Sequence, residues 1–117
     1  ALTGWTRNQG AMAQINEAMP LVDVIGTYTN ASAVKNSSGR YLTDRVEVGF
    51  PDWIGCLGQN YKQPGRMFVI EGKRDKDKPK PKQIEWADKL IKAGALVIRE
   101  ARSLEDVLRV LDKERPK

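Results

Sequence analysis

Three residues of this chain have the types and spacing to do chemistry together: Asp52, which follows Pro51, and the pair Glu71 and Lys73, which ends the run Met67-Phe68-Val69-Ile70-Glu71-Gly72-Lys73. In an extended strand, residues two apart leave the same face about 6.6 Å from one another. A neighbouring strand lies about 4.8 Å away, close enough to set the carboxylate of Asp52 beside that of Glu71. Two carboxylates and one ammonium then converge at a sheet edge. Hard oxygen ligands of this kind, joined by the main-chain carbonyl of Gly72, suit Mg²⁺ and leave coordination positions for water and a phosphate oxygen. Three roles are open to Lys73: orienting the attacking water, helping to deprotonate it, or stabilising the transition state. The reaction such a set implies is phosphodiester hydrolysis. A Glu-x-Lys tripeptide by itself also fits a plain charged strand end facing water.

What the chain lacks narrows the chemistry further. Among its 117 residues there is no His and a single Cys, Cys56. Ser-His-Asp and Cys-His catalysis, mixed Cys/His zinc and Cys₄ zinc are all excluded, as is an intrachain disulfide. Cys56 lies in the apolar run Trp53-Ile54-Gly55-Cys56-Leu57 and is expected to be a small buried hydrophobe in a reducing compartment. Catalysis must come from carboxylates, Lys, hydroxyls or an oxygen-bound metal.

The 20 Lys and Arg against 15 Asp and Glu give a formal net charge of +5. Between Lys62 and Lys82 stand eight basic residues (Lys62, Arg66, Lys73, Arg74, Lys76, Lys78, Lys80, Lys82) and three acidic ones (Glu71, Asp75, Asp77), so this stretch carries the whole excess. Concentrated basicity points to a polyanionic partner, although the same Lys/Pro-rich composition also suits a solvated loop. With 40% hydrophobic residues and three Trp, the chain is expected to be one soluble domain with a modest core. No apolar run approaches the ~18 residues of a membrane span, and no signal peptide is read.

The elements that must position these residues follow from pattern. Met12, Ile15 and Met19 fall on one face of a helix from about Gln9 to Met19, which Pro20 stops. Leu21 to Asn30 reads as a strand, Ala31 to Arg40 as a loop, and Tyr41 to Val48 as a second strand. Trp53 to Leu57 reads as a short strand, Gly58 to Arg66 as a turn, and Met67 to Lys73 as a central strand with both faces covered. Arg74 to Lys82 is a loop, after which Lys82 to Ala93 forms a helix with Ile84, Ala87, Leu90 and Ile91 on one face and Gly94 as its stop. Ala95 to Arg99 is another strand, and Ser103 with Asp106 forms a capping box for a last helix. The strand-helix-strand step makes the last two strands parallel, whereas the earlier ones are antiparallel. The fold class is α/β, a mixed sheet flanked by helices.

Gly49-Phe50-Pro51-Asp52 followed by Ile70-Glu71-Gly72-Lys73 resembles the motif of the PD-(D/E)xK nucleases. Gln83, Gly94-Ala95 and Ala101-Arg102-Ser103-Leu104-Glu105-Asp106-Val107 are similar to the distal part of the VRR-NUC branch of that superfamily, and Asn30-Ala31-Ser32 with Gly39-Arg40-Tyr41 to the part preceding the Pro-Asp pair. The resemblance covers roughly Thr27 to Leu111. It implies a single restriction-endonuclease-like domain over residues 1–117, with Asp52, Glu71 and the Gly72 carbonyl as metal ligands, Lys73 as catalytic lysine and Gln83 pointing into the site. The branch also carries a Glu in its first helix. Glu17 is the only Glu there, although it lies closer to Asn30 than the family spacing suggests. Gly72 departs from the bulkier apolar residue common between Glu and Lys.

Minimal members of this branch resemble structure-specific DNA endonucleases, including Holliday-junction resolvases of phage or bacterial origin. The resemblance therefore implies branched DNA as substrate, Mg²⁺ as cofactor with Mn²⁺ as substitute, and a cytoplasmic setting in a bacterium or phage-infected host. Arg74, Lys76, Lys78, Lys80 and Lys82 are the expected DNA-gripping residues. Cutting a four-way junction symmetrically needs two active sites, which a homodimer provides; Trp5 and Trp86 are candidates for its interface. The competing reading is a non-catalytic nucleic-acid-binding module that uses the 62–82 segment as a clamp and Tyr28, Tyr41 and Tyr61 as stacking platforms.

Overall fold

In the computed structural model, which describes residues 10–29, 47–73 and 78–116, helix α1 (Ala11–Ala18) runs directly into a 3-10 turn (Met19–Val22). Strands β1 (Val24–Tyr28), β2 (Trp53–Leu57) and β3 (Met67–Gly72) follow, then helix α2 (Pro81–Lys92), strand β4 (Leu96–Ala101) and helix α3 (Leu104–Lys113). The strands make one sheet in the order β1-β2-β3-β4, antiparallel from β1 to β3 and parallel between β3 and β4. The turn 58–66 reverses the chain after β2, whereas α2 carries it back so that β4 starts beside the start of β3. The expected mixed α/β sheet flanked by helices is what these connections produce.

Side-chain alternation divides the sheet into two unequal faces. Trp53, Leu57, Phe68, Ile70 and Ile98 pack with Ile15 and Met19 of the first helical segment and with Val107 and Leu111 of α3, forming the main core. The opposite face holds a smaller cluster in which Val69 meets Leu90 and Ala95, with Phe50, Ile54, Trp86 and Val97 at its margin. Burying a Phe, Leu or Ile of the main core stabilises the fold by roughly 1.5–3 kcal/mol each. No helix among the described residues is long and apolar enough to cross a membrane.

Several expectations are corrected. β1 starts at Val24 and not at Leu21, because Pro20, Leu21 and Val22 complete the 3-10 turn and Asp23 then takes a left-handed φ of 63°. Asp23 is locked there: its carbonyl accepts from the Gly58 amide at 2.8 Å and its carboxylate from the Asn60 amide at 2.9 Å. β4 extends to Ala101, two residues past the expected end. Residues 41–46 of the expected second strand lie outside the described residues, and Val48 sits in a turn. On α2, Ala87 and Leu90 are buried, but Ile84 and Ile91 are 42% and 45% exposed, since the helix lies over only part of the sheet. For the same reason Cys56 is exposed and not buried: it faces the α2 side beyond the helix's reach, beside Ile25 and Met67, which are exposed too.

Candidate active site

Asp52 is held by two devices. The first is a turn in which the Phe50 amide donates to the Glu47 carbonyl at 3.1 Å. Gly49 has φ 96° there, the sign that the third position of a type II turn requires. A Cβ on Gly49 would also come within 2.6 Å of the Lys82 Cβ, so only Gly lets this segment close against the first turn of α2. The second device is Thr29, which continues the β1–β2 pairing by one residue. Its amide donates to the Asp52 carbonyl at 2.9 Å and its hydroxyl to the Pro51 carbonyl at 2.6 Å. Sequence reasoning missed Thr29; only the pairing Tyr28 with Trp53 reveals its partner.

The register Trp53 with Ile70 puts Asp52 opposite Glu71, as the strand spacing predicts. The Gly72 amide donates to Asp52 Oδ2 at 2.9 Å, and the side chains of Asp52 and Glu71 are hydrogen-bonded to each other. Glu71 is 6% exposed. Burial, then the charge of Asp52 and the hydrogen bond to it, push its carboxyl up to about 9, with the positive charge of Lys73 pulling the other way. At neutral pH and with no cation beside it, Glu71 therefore holds its proton.

Gly72 has a local reason. A Cβ there would lie 2.8 Å from Cγ and 2.9 Å from Sδ of Met12, so Met12 of α1 already fills the space above this residue. The apolar volume that the resemblance leads one to expect at position 72 is supplied from a different element. Met12 is fixed in turn by Tyr28, whose hydroxyl donates to the Met12 carbonyl at 3.2 Å, and one helical turn further on Asn16 accepts from the Trp53 indole at 2.9 Å.

Lys73 is 8% exposed, and its amide donates to the Ala101 carbonyl at 3.0 Å, tying the end of β3 to the end of β4. Its ammonium donates to Gln83 Oε1 at 2.5 Å. The same oxygen accepts from the Lys80 amide at 2.9 Å, so Gln83 satisfies an otherwise orphaned donor at the start of α2 while it orients the lysine. Pro81 at the first helical position needs no such partner.

Asp52, Glu71, Gly72, Lys73 and Gln83 are thus brought together, and Glu17 is not. Glu17 is exposed on α1, because Ile15, Met19 and Met12 turn the apolar stripe toward the sheet and leave position 17 facing solvent. Among the described residues no three acidic, His or Cys side chains gather where they could hold a metal ion.

The basic stretch divides into parts with different work. The Lys62 ammonium donates to the Lys113 carbonyl, while Arg66 pairs with Glu114 at 3.1 Å and donates to the Gly94 carbonyl at 2.8 Å. Both fasten the 58–66 turn to the rest of the fold. Lys78, Lys80 and Lys82 are exposed at the start of α2 and make no ion pair among the described residues. Arg74 and Lys76 lie outside the described residues. Of the aromatic candidates, Tyr61 is buried with its hydroxyl donating to the Val22 carbonyl, which removes it as a stacking platform. Trp86 is half-buried edge-to-face against Phe50, while Tyr41 and Trp5 lie outside the described residues.

The donor set suits Mg²⁺, which is commonly held by one or two carboxylates and keeps several waters. Asp52 and Glu71 are two hard oxygen donors in hydrogen-bond contact, and a cation would displace the proton that Glu71 holds. No family model matches the sequence, and no curated protein matches it. Among solved structures, a chain described as a VRR_NUC domain superposes with a TM-score of 0.56 at 19% identity, over 87% of this chain and 90% of that one. A likeness at that identity speaks for architecture, and the architecture of this chain is that of a VRR-NUC domain, a restriction-endonuclease-like fold.

Proposed function

We propose that this chain is a single-domain, metal-dependent endonuclease that hydrolyses phosphodiester bonds in DNA, with branched DNA such as four-way junctions as its substrate. The observation that carries this reading is the meeting of Asp52, Glu71 and Lys73 at the ends of two neighbouring strands, with Gln83 fixing the ammonium. Asp52, Glu71 and the Gly72 carbonyl would hold Mg²⁺, or Mn²⁺ in its place. When bound, the cation supplies Lewis acidity that activates water and offsets charge developing on the phosphate. Lys73 gives one N–H to Gln83 and keeps two for a phosphate oxygen or the attacking water. Lys78, Lys80 and Lys82 would hold neighbouring phosphates by charge, which reads shape and backbone before sequence. A homodimer would supply the two active sites that symmetric junction cutting needs.

The test is cleavage of a four-way junction, a flap and a plain duplex by purified protein in Mg²⁺, Mn²⁺ and EDTA. Asp52→Ala and Glu71→Ala are expected to abolish cutting while DNA binding in EDTA persists. Full turnover by either variant removes that residue from the metal site. Binding with no cleavage in either metal would instead support a non-catalytic module that clamps nucleic acid through its lysines.

A further inference from the structure

Beside the carboxylate pair, the parallel pairing of β3 and β4 is interrupted. Ile70 stands opposite Ile98, but Gly72 stands opposite Ala101, so Glu71 faces two residues of β4, Arg99 and Glu100. Such a bulge leaves an extra residue unpaired and re-aims side chains; bulges are concentrated next to active sites. Arg99 lies two residues beyond Val97, which pairs with Val69, so strand alternation points it to the same side of the sheet as Glu71, and the shift falls just beside it. Glu71, Gln83 and Arg99 line one recess whose apolar wall is formed by Ile84, Ala87 and Val97. Arg99 is on the opposite side of Glu71 from Asp52, one strand further along the sheet.

The guanidinium is held but not used up. One Nη2 hydrogen goes to Asp88 Oδ1 on α2 at 2.5 Å, and both side chains remain about half exposed. A guanidinium has five N–H donors, and no other partner for this one is found among the described residues. No ion pair joins Arg99 to Glu71 among the described residues, where its acidic partner is Asp88. An exposed strand-to-helix ion pair contributes only about 0–1 kcal/mol to stability, which is a weak reason to hold an arginine at the rim of this recess. A planar fork anchored by one corner beside an apolar wall suits a phosphate oxygen pair.

We propose that Arg99 is a phosphate-binding residue of this site: it grips the DNA backbone at a phosphate neighbouring the one that is cut, with Asp88 positioning its guanidinium. The assignment rests on the nuclease reading above. It adds a contact on β4 that lies outside the Asp52, Glu71 and Lys73 set and outside the basic stretch.

Binding of a four-way junction is measured in EDTA over a range of salt for the wild type, Arg99→Ala and Arg99→Lys, with thermal melting alongside. Arg99→Ala is expected to weaken binding about tenfold and to lower the salt slope by about one, as loss of one phosphate contact does. Arg99→Lys should restore the slope but only part of the affinity, since the charge returns without the fork. Neutral methylphosphonate is then placed at each backbone position near the cut. At one position the wild type should fall to the level of Arg99→Ala, and the variant should be indifferent to that substitution. A wild type that cuts DNA, with Arg99→Ala unchanged in affinity and slope or weakened equally at every methylphosphonate position, overturns this assignment alone. A wild type that neither binds nor cuts DNA overturns the nuclease reading and this assignment with it.

Discussion

The proton held by Glu71 would make the proposed metal binding a titration. Glu71, pushed up to about 9, holds its proton at neutral pH, yet a cation needs the ionised carboxylate. At pH 7 about one Glu71 in a hundred is ionised. The apparent Mg²⁺ affinity should therefore lie about 100-fold below that of the ionised pair, rise about tenfold per pH unit toward 9 and level off above it. Isothermal titration calorimetry with Mg²⁺ in two buffers of different ionisation enthalpy reads the second consequence, release of about one proton per ion bound at pH 7. The metal-free protein gives the complementary sign. The native carboxyl sits above its unfolded value of 4.5, so the native state holds a proton that the unfolded chain has lost. The stability this contributes is fully present below that value and declines as pH rises through about 9, by up to about 1.4 kcal/mol per pH unit. Denaturant unfolding in EDTA should show this slope in the wild type and lack it in Glu71→Gln. A Mg²⁺ affinity that stays flat from pH 6.5 to 9, without proton release, would refute a protonated Glu71.

Other substitutions probe the supports of the site. Gly72→Val should destabilise by about 1–3 kcal/mol through overpacking against Met12, with Met12→Ala restoring part of the loss in urea melts. Gln83→Ala removes the partner of both the Lys73 ammonium and the Lys80 amide, so it should lower the melting temperature and the cleavage rate together. Lys73→Ala, by contrast, should lower the rate without unfolding the domain, and a near wild-type rate would remove this buried lysine from the catalytic set. Neutralising Lys78, Lys80 and Lys82 should lower the salt slope of DNA binding by about three. Lys62→Gln should leave that slope unchanged and register only in stability, because its ammonium is bound to the Lys113 carbonyl.

Much of the scaffold is legible because local signals and packing agree. Trp53 to Leu57 and Met67 to Ile70 are apolar runs bounded by turn residues, and Ser103 with Asp106 marks the start of α3 as the capping box requires. The meeting of Asp52 and Glu71 follows from one assumption, that the strands carrying them are neighbours. What is hidden depends on where elements end and what covers them. Leu21 and Val22 have strand composition, but Asp23 is latched to Gly58 and Asn60, contacts far away in sequence that decide where β1 begins. Cys56, Ile84 and Ile91 look like core residues; their exposure follows from the reach of α2 across the sheet, a tertiary matter. The exposure of Glu17 is legible in the spacing, since the stripe Met12, Ile15, Met19 already turns it toward solvent. Met12 and Arg99 carry no local sign of their place. One follows from the packing of α1 on Gly72, the other from the parallel register that sets β4 beside β3.

The amide oxygen of Gln83 joins two events usually thought of separately. Because it receives both the ammonium at the end of β3 and the first backbone N–H of α2, unwinding the helix start releases the lysine, and drawing the lysine toward a substrate loosens the helix start. Of the lysines that would meet DNA, Lys82 lies on that first turn, and Lys78 and Lys80 lead directly into it. Any backbone grip by these lysines and the alignment of Lys73 would therefore be coupled through one carbonyl, and a pull on either would be felt by the other.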